Sequence, residues 1–327
     1  MPGSRPSHLW KRLRAGLSWR FKAFRDGLNK RLVLHGPDAF IRAHWPWPLS
    51  KPYERRALRI AAPGGGIGDE LMCTPIFAEI KRRNPHCHIT FICRHPEFFK
   101  GHPFVDEVES DKKNRRRSLR LAYNYAVPPP RPLMTLMAEC VGLKMDFNEI
   151  VPPPLEPGTE IHDAIAAITR PRVVIQPLSS RWTPNKNWPV EYWRELIKLL
   201  RAEYSVIEVG TESPFPAGEF GARFYSFAGQ TDLSGFAHII SQADVFIGPS
   251  SGGMHLANAY KIKSVILFGG YESPEGYRYP RTETFYTPVP CAPCWLTSDC
   301  PYALKCLRAI EPPAVFKAVQ RMLISSE

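Results

Sequence analysis

The sequence has no uninterrupted apolar run of the length needed to cross a bilayer, so we expect no transmembrane helix. Its N-terminal residues are basic but lack an apolar segment followed by a small-residue cleavage site, so we expect no secretory signal. Without such a signal we expect a cytoplasmic, reducing location, which argues against a disulfide framework for the eight cysteines. The 327 residues, 44% of them hydrophobic, suffice for two core-forming domains.

Acidic residues are scarce at the first 60 positions, where 14 lysines and arginines face three acids and carry +11 of the net charge of +12. Over residues 8–35, large apolar residues recur at spacings of three and four, which predicts one long basic amphipathic helix. Such a helix suits an anionic membrane surface, and the alternative is packing on its own chain or on another copy. No recognisable nucleic-acid-binding module accompanies the basic residues, so nucleic acid is not an expected partner.

A turn of small residues joins a predicted buried strand at 244–247 to a predicted helix that opens at Met254. The turn contains Ser250, Ser251, Gly252 and Gly253. The first amides of a helix lack internal partners and carry partial positive charge, and serine and glycine let a phosphate approach the backbone closely. The pattern therefore predicts an anion site, with an ordinary βα turn as the alternative.

A second glycine-rich turn, residues 63–69, follows a predicted strand at 58–62. The third glycine of a dinucleotide-binding fingerprint is missing because that position is Asp69, and Arg94 stands where an acid would end the second strand. A nicotinamide-dependent oxidoreductase is therefore disfavoured. Asp69 lies at the mouth of the first βα turn, where α/β proteins place reactive groups, although an acid here also fits a simple helix cap.

Predicted strands and helices alternate in both halves of the chain, and a proline-rich joint at 151–157 separates the halves. This pattern predicts an α/β fold of two doubly wound domains that face a cleft. We place a basic N-terminal extension at residues 1–50, the first domain at 51–155, and the second domain, with a cysteine cluster and a closing helix, at 156–327.

A basic run at 112–120 includes Arg115, Arg116 and Arg117. Such a run is usually a solvated face. The alternative is a site that receives a phosphorylated or acidic acceptor.

Four cysteines fall within sixteen residues near the C-terminus: Cys291, Cys294, Cys300 and Cys306. Their number and closeness suit a tetrahedral structural site for zinc or iron. The second pair is spaced more widely than in a common CxxC, so disulfides or free thiols are the alternatives.

Three stretches together resemble the ADP-heptose:lipopolysaccharide heptosyltransferase family, glycosyltransferase family 9. They are G-D-E-L-M-C-T-P-I-F-A-E-I-K-R-R-N-P at 68–85, P-L-S-S-R-W-T-P-N-K-N-W-P at 177–189, and the run at 229–259 that contains D-V-F-I-G-P-S-S-G-G-M-H. The cysteine pattern that leads into C-L-R-A-I-E-P-P-A-V also recurs in many members. The resemblance covers roughly residues 56–325 and implies a GT-B fold, in which two Rossmann-like domains face a cleft and the second holds the donor.

Family members transfer a sugar from a nucleoside diphosphate with inversion and without a metal, so the resemblance implies no cofactor for catalysis. The sequence agrees in having no Asp-x-Asp that would hold a divalent ion against a diphosphate. By the same resemblance Asp69 is the catalytic base and Lys186 is the cation for the diphosphate. The implied donor site also includes Ser250, Ser251, Gly252, Gly253, His255 and, more loosely, Glu212.

One position departs from the family. Ser250 stands where many heptosyltransferases carry an aspartate that contacts heptose hydroxyls, which leaves the donor, ADP-heptose or a related nucleotide sugar, open. The expected acceptor is a lipopolysaccharide-like or other surface glycan at the inner face of the cytoplasmic membrane, with Arg94 and the three arginines 115–117 on the acceptor side. The alternative is a non-catalytic GT-B protein that binds a nucleotide sugar or a partner.

Overall fold

The computed structural model describes residues 52–110, 118–123, 131–179 and 182–325. The predicted basic N-terminal helix and the arginines at 115–117 lie outside these residues. Both sheets described below belong to one compact unit, Trp47–Glu327. No helix in the described part of the chain is long and apolar enough to cross a membrane.

The first half folds around a four-stranded parallel sheet in the order β3-β2-β1-β4. Its strands are β1 (Ala57–Ala61), β2 (His88–Cys93), β3 (Glu107–Ser110) and β4 (Leu119–Arg120). The helices of this half are α1 (Ile67–Leu71), α2 (Thr74–Arg83), α3 (Pro96–Phe99) and α4 (Leu133–Glu139). β2 and β3 therefore lie on one side of β1 and β4 lies on the other, so the strand order reverses between β1 and β4.

The second half folds around a six-stranded parallel sheet in the order β10-β9-β8-β5-β6-β7. Its strands are β5 (Arg172–Ile175), β6 (Ser205–Glu208), β7 (Phe224–Ser226), β8 (Val245–Pro249), β9 (Ser264–Gly269) and β10 (Thr282–Tyr286). Its helices are α5 (Thr159–Ala166), α6 (Val190–Glu203), α7 (Leu233–Ser241), α8 (Gly252–Ala259), α9 (Lys305–Arg308) and α10 (Pro312–Ile324). Counted from β5, this is the Rossmann strand order 3-2-1-4-5-6, with its reversal between β5 and β8.

Burial explains why the sequence folds into these layers. Every residue of β5, β6, β8 and β9 is buried, as expected for parallel strands covered on both faces. Helix α6 presents Trp193, Leu196 and Leu200 to one face of the second sheet, where α10 also packs. The opposite face is covered by α7 and α8, and its core continues into that of the first sheet. The predicted doubly wound α/β architecture is confirmed.

Most predicted elements are present within one or two residues, but the short outer strands β3, β4 and β10 were not predicted. Each is only partly buried, so none carries the long apolar run that marked the central strands. Helix α8 begins at Gly252, two residues before the predicted start at Met254, because two glycines hide the apolar periodicity of its first turn.

The proline-rich joint is bonded to both halves. The amide of Asn258, on α8, accepts the Ile150 N–H at 2.8 Å and donates to the Asn148 carbonyl at 3.1 Å. Thr74, at the start of α2, accepts the Val151 N–H at 3.1 Å. These bonds tie residues 148–151 to α2 of the first half and to the C-terminal end of α8 of the second half.

Candidate active site

Both sheets reverse their strand order next to their first strand, and such points form crevices at the carboxyl ends of parallel strands where ligands bind. In the first sheet the crevice lies between the ends of β1 and β4, and in the second between the ends of β5 and β8. The residues that follow these four strands include Asp69, Tyr123, Gln176 and Ser251. The predicted site residues of the two glycine turns therefore fall where the topology places a ligand.

Asp69 lies in the first turn of α1 and is half-buried. One carboxylate oxygen accepts the Gly66 N–H at 3.4 Å, and the other accepts the hydroxyl of Tyr123, which comes from the opposite side of the crevice. Burial raises the pKa of Asp69, and the Tyr123 and Gly66 hydrogen bonds and the charge of Lys186 oppose that rise. Asp69 thus caps its helix, as the alternative interpretation held, and also presents a carboxylate of raised basicity to the crevice.

Glycine is required in this turn because the carboxylate lies directly on the backbone. A Cβ at Gly64 would lie 2.0 Å from Asp69 Oδ2, closer than any non-bonded contact. The neighbouring Glu70 is fully buried and ties the turn to the end of β2, where it accepts the Arg94 N–H at 2.6 Å and contacts His95 Nδ1 at 2.8 Å. The turn that carries Asp69 is therefore fixed from both sides.

Lys186 ends a short 3₁₀ helix, Pro184–Lys186, whose N-cap is Thr183. The loop is anchored because the side-chain amide of Asn185 donates to the Leu296 and Ser298 carbonyls at 2.6 and 2.8 Å. From this anchor the Lys186 ammonium donates to the Ser250 carbonyl at 3.0 Å and lies 4.9 Å from the ring centre of Tyr271. The donor-loop cation therefore reaches the turn that precedes α8.

The turn before α8 closes on the neighbouring strand. Ser251 is the N-cap residue, but its hydroxyl donates to Gln176 Oε1 at 2.9 Å instead of capping the helix. Gly253 packs tightly, since an added Cβ would lie 2.3 Å from the same Gln176 oxygen. Within the described residues, the amides of Gly252 and Gly253 have no hydrogen-bond partner and the buried Ser250 hydroxyl has none either. The first turn of α8 thus leaves its donors available to an anion.

The two crevices meet through direct packing of α1 on α8. A Cβ at Gly68 would lie 2.5 Å from His255 Cδ2, and one at Gly252 would lie 2.4 Å from Ile67 Cγ2. His255 is buried and its Nδ1 is 2.7 Å from the Tyr279 hydroxyl. Burial first, and then the charge of Lys186, lowers the pKa of His255 to about 3, so this imidazole is neutral at neutral pH. In this structure His255 joins the two halves of the site.

The remaining predicted ligands lie further out. The Arg94 side chain is exposed, with its guanidinium over Gly65 of the first turn. Glu212 is exposed in the loop after β6, whereas Glu208 at the end of β6 is fully buried and accepts the hydroxyls of Ser213 and Ser226. Burial raises the pKa of Glu208. The acceptor-side prediction for Arg115–Arg117 falls outside the described residues.

The four clustered cysteines are free thiols near the end of β9. Cys294 donates its N–H to the Gly270 carbonyl at 3.0 Å, and Cys306 lies against the same glycine. Burial raises the pKa of Cys294 to about 11, and the other three thiols add to the rise, so the four are neighbours. Among the described residues no group of three or more His, Cys, Asp or Glu side chains is arranged to hold a metal ion, and the zinc or iron site stays a prediction.

Sequence reasoning missed the partners of the predicted residues. Tyr123 holds Asp69, Gln176 holds Ser251, Tyr279 holds His255, and Glu272 pairs with Lys186 at 2.5 Å. Gln176 directly follows β5 and Glu272 lies three residues after β9, so the rule that ligand-site residues collect at the carboxyl ends of strands was a usable signal. Tyr123 follows the unpredicted β4, and nothing in the sequence pointed to it.

The fold and the paired crevices define a class: a GT-B protein, in which two Rossmann-like domains face a cleft. Solved structures support this assignment. Escherichia coli ADP-heptose LPS heptosyltransferase II superposes with a TM-score of 0.61 at 16% identity, covering 83% of this chain and 99% of that one. TibC, the iron-containing dodecameric glycosyltransferase of enterotoxigenic E. coli, gives a TM-score of 0.62 at 20% identity over 82% of this chain and 78% of that one.

The chain belongs to glycosyltransferase family 9 (heptosyltransferase), whose family model matches residues 114–284. A relative in Campylobacter jejuni, lipooligosaccharide heptosyltransferase 2, is 26% identical over 96 residues. That match spans 28% of this chain and 30% of the relative. The family resemblance seen in the sequence is confirmed.

Proposed function

We propose that this protein is a glycosyltransferase that moves a sugar from a nucleoside diphosphate to a hydroxyl of a surface-glycan acceptor, with inversion and without a catalytic metal. One observation carries the proposal. A carboxylate of raised basicity, Asp69, and a lysine, Lys186, whose charge acts on it, lie where the two crevices meet, beside the Gly252 and Gly253 amides that have no partner within the described residues. The arrangement pairs a base for the acceptor with positive groups for the leaving group.

On the donor side, Lys186 and the Gly252 and Gly253 amides supply positive charge to a diphosphate. Charge on the leaving nucleotide grows as the glycosidic bond breaks, and preorganised donors stabilise it in a site from which water is excluded. The E. coli structure of this fold is an ADP-heptose transferase, which favours ADP-heptose or a related nucleotide sugar as donor. Ser250 offers a short neutral hydroxyl, so the sugar of this donor need not be heptose.

On the acceptor side, Asp69 accepts the proton of the attacking hydroxyl as that oxygen approaches the anomeric carbon opposite the diphosphate. Tyr123 and Gly66 orient the carboxylate, and its raised pKa strengthens it as a base while leaving it ionised above that pKa. Arg94 is exposed beside the same turn and suits an acceptor that carries a carboxylate or phosphate, as lipopolysaccharide-like glycans do. The arginines 115–117, predicted from the sequence to lie on the acceptor side, are outside the described residues.

Asp69→Asn tests the mechanism. The amide keeps the size of the side chain but cannot take a proton, so sugar transfer should fall by roughly 10²- to 10⁴-fold while nucleotide binding persists. Donor candidates are chosen beforehand by thermal shift with ADP, UDP and GDP sugars, and transfer is followed by release of the nucleoside diphosphate.

Asp163→Asn, an exposed carboxylate on α5, is the matched control and should keep full activity. Unchanged transfer by Asp69→Asn would remove Asp69 as the base. Stabilisation by NAD(P) alone, with no response to nucleotide sugars, would overturn the proposed function.

A further inference from the structure

The ammonium of Lys186 already has a counter-ion. Glu272 Oε1 lies 2.5 Å from Lys186 Nζ, and the other carboxylate oxygen accepts the Tyr277 hydroxyl at 2.9 Å. The side chains are 16% and 3% exposed respectively, so this is a largely buried ion pair. With the Ser250 carbonyl at 3.0 Å, Lys186 has two oxygen partners before any ligand arrives.

The position of this pair makes it more than a packing contact. Lys186 donates to the carbonyl of Ser250 in the turn before α8, where the Gly252 and Gly253 amides lack partners within the described residues. A diphosphate bound on those amides would meet the same ammonium that Glu272 holds. Two anions, one internal and one brought by the ligand, would then share a single cation.

Sharing Lys186 between Glu272 and a diphosphate affects the empty site and the ligand-bound site in opposite directions. A second negative charge beside a buried carboxylate is repelled, and that repulsion is strong where water does not screen it. Without Glu272, however, Lys186 would be a buried ammonium with only one neutral oxygen, which is costly in the ligand-free protein. Glu272 therefore stabilises the empty site and weakens the occupied one.

We propose that Glu272 is an intramolecular competitor of the donor's diphosphate for Lys186, a positioning residue that lowers the affinity of the site for nucleoside diphosphates and speeds release of the product. The inference rests on the proposed function, since it concerns the same diphosphate site. On binding, Lys186 exchanges the Glu272 oxygen for a phosphate oxygen. On release the carboxylate, which Tyr277 keeps in place, takes the ammonium back.

Isothermal titration of ADP and of inorganic pyrophosphate into the full chain tests this exchange. Glu272→Gln keeps the shape of the side chain and its bond to Tyr277 but removes the charge, so both ligands should bind roughly tenfold more tightly than to the unaltered protein. In steady-state transfer, the same variant should show stronger inhibition by ADP and a lower kcat together with a lower KM. A role confined to fold stability would change neither affinity nor this split.

Three further variants complete the test. Glu275→Gln, an exposed acid three residues away that pairs with Arg278, should leave both affinities unchanged. Tyr277→Phe keeps the carboxylate charge and should give a smaller gain than Glu272→Gln. In a Lys186→Met background, Glu272→Gln should give a much smaller gain in affinity, because the exchange of partners on the shared cation is gone and only direct repulsion by the carboxylate remains. Melting curves confirm that each variant is folded.

The outcomes separate the two proposals. Equal ADP affinity in the unaltered protein and in Glu272→Gln, with loss of binding in Lys186→Met, would overturn the competitor role and leave the donor site standing. A similar gain in the Lys186→Met background would also overturn it, because the carboxylate would then act without Lys186. Absence of ADP and pyrophosphate binding in every variant would overturn the proposed diphosphate site and the competitor role together.

Discussion

At the scale of residues, the surroundings of each ionisable side chain in this site set its protonation state. Asp69 is buried enough to hold a proton more tightly than an ordinary carboxyl, yet Tyr123 and Gly66 keep it oriented toward the crevice. His255 is neutral because it is buried and lies near Lys186. Asp69 and His255 both belong to family motifs, but Asp69 is an ionisable base and His255 is a neutral packing contact.

The hydrogen bond from Tyr123 gives a prediction for pH dependence. Tyr123→Phe removes a donor that lowers the pKa of Asp69, so that pKa should rise further. Asp69 acts when deprotonated, so activity is lost as pH falls through its pKa, and the acidic limb of the kcat/KM profile should move to higher pH. Tyr225→Phe, on an exposed side chain, should leave the profile in place.

The raised pKa of Asp69 affects stability in the opposite direction to activity, because stability is lost as pH rises whereas activity is lost as pH falls. A carboxyl whose pKa is raised by folding binds its proton more tightly in the folded state, so its contribution to stability is complete below the ordinary value and is lost as pH rises through the raised one. Tyr123→Phe should therefore cost more stability at neutral than at acidic pH, measured by urea unfolding at both. If the acidic limb of the kcat/KM profile of Tyr123→Phe did not move, or moved to lower pH, the assignment of Asp69 as the titrating base would be contradicted.

At the scale of elements, two turns of small residues carry the site. Both were predicted, because a cluster of glycine and serine after a buried strand can be recognised from a short stretch of sequence. Asp69 stood out because it follows one of these turns, whereas Lys186 was indicated only by the family resemblance. The sequence could not predict Tyr123 or Tyr279, since their roles come from packing between segments far apart in the chain. The short strands β3, β4 and β10 were missed because pairing with neighbours, rather than their own apolar content, holds them in the sheets.

The tight packing of Gly253, in the first turn of α8, on Gln176 and Phe246 gives the prediction at this scale. Gly253→Ala would place a Cβ 2.3 Å from Gln176 Oε1 and 2.6 Å from Phe246, inside a packed core. We expect a loss of about 1–3 kcal/mol in the free energy of unfolding, since such overpacking forces neighbours to move. ADP binding should weaken as well, because the displaced helix carries the amides of the donor site.

Gly158→Ser is the control for that substitution. Gly158 is the N-cap residue of α5, nothing lies within 4 Å of an added Cβ, and serine is a favoured N-cap. Urea unfolding and ADP titration should both match the unaltered protein. Equal stability of the Gly253 and Gly158 variants would show that the α8 turn relaxes freely.

At the scale of the whole molecule, the basic segment at 1–50 is the part that the family resemblance leaves out. Its predicted amphipathic helix and its charge lead us to propose that it brings the catalytic unit to an anionic membrane surface. Deletion of residues 1–50 should abolish co-sedimentation with vesicles that contain anionic phospholipid and should leave transfer to a water-soluble acceptor intact.

The lipid dependence of that binding is its control. The full chain should bind neutral phosphatidylcholine vesicles much more weakly, and added salt should release it from anionic ones, because exposed charges are screened. Unaltered vesicle binding after the deletion would place the membrane contact elsewhere in the chain and leave the amphipathic segment to a protein contact.

The packing of α1 on α8 also limits how this sequence can diverge. Gly68 and His255 occupy a single shared volume, as do Gly252 and Ile67, and each pair draws one member from each half of the chain. A larger residue at either glycine can be accommodated only if its partner becomes smaller at the same time. Substitutions at these four positions are therefore coupled between the two halves of the chain. A chimera that joins halves from distant family members will pack correctly only if the two residues of each pair match in size.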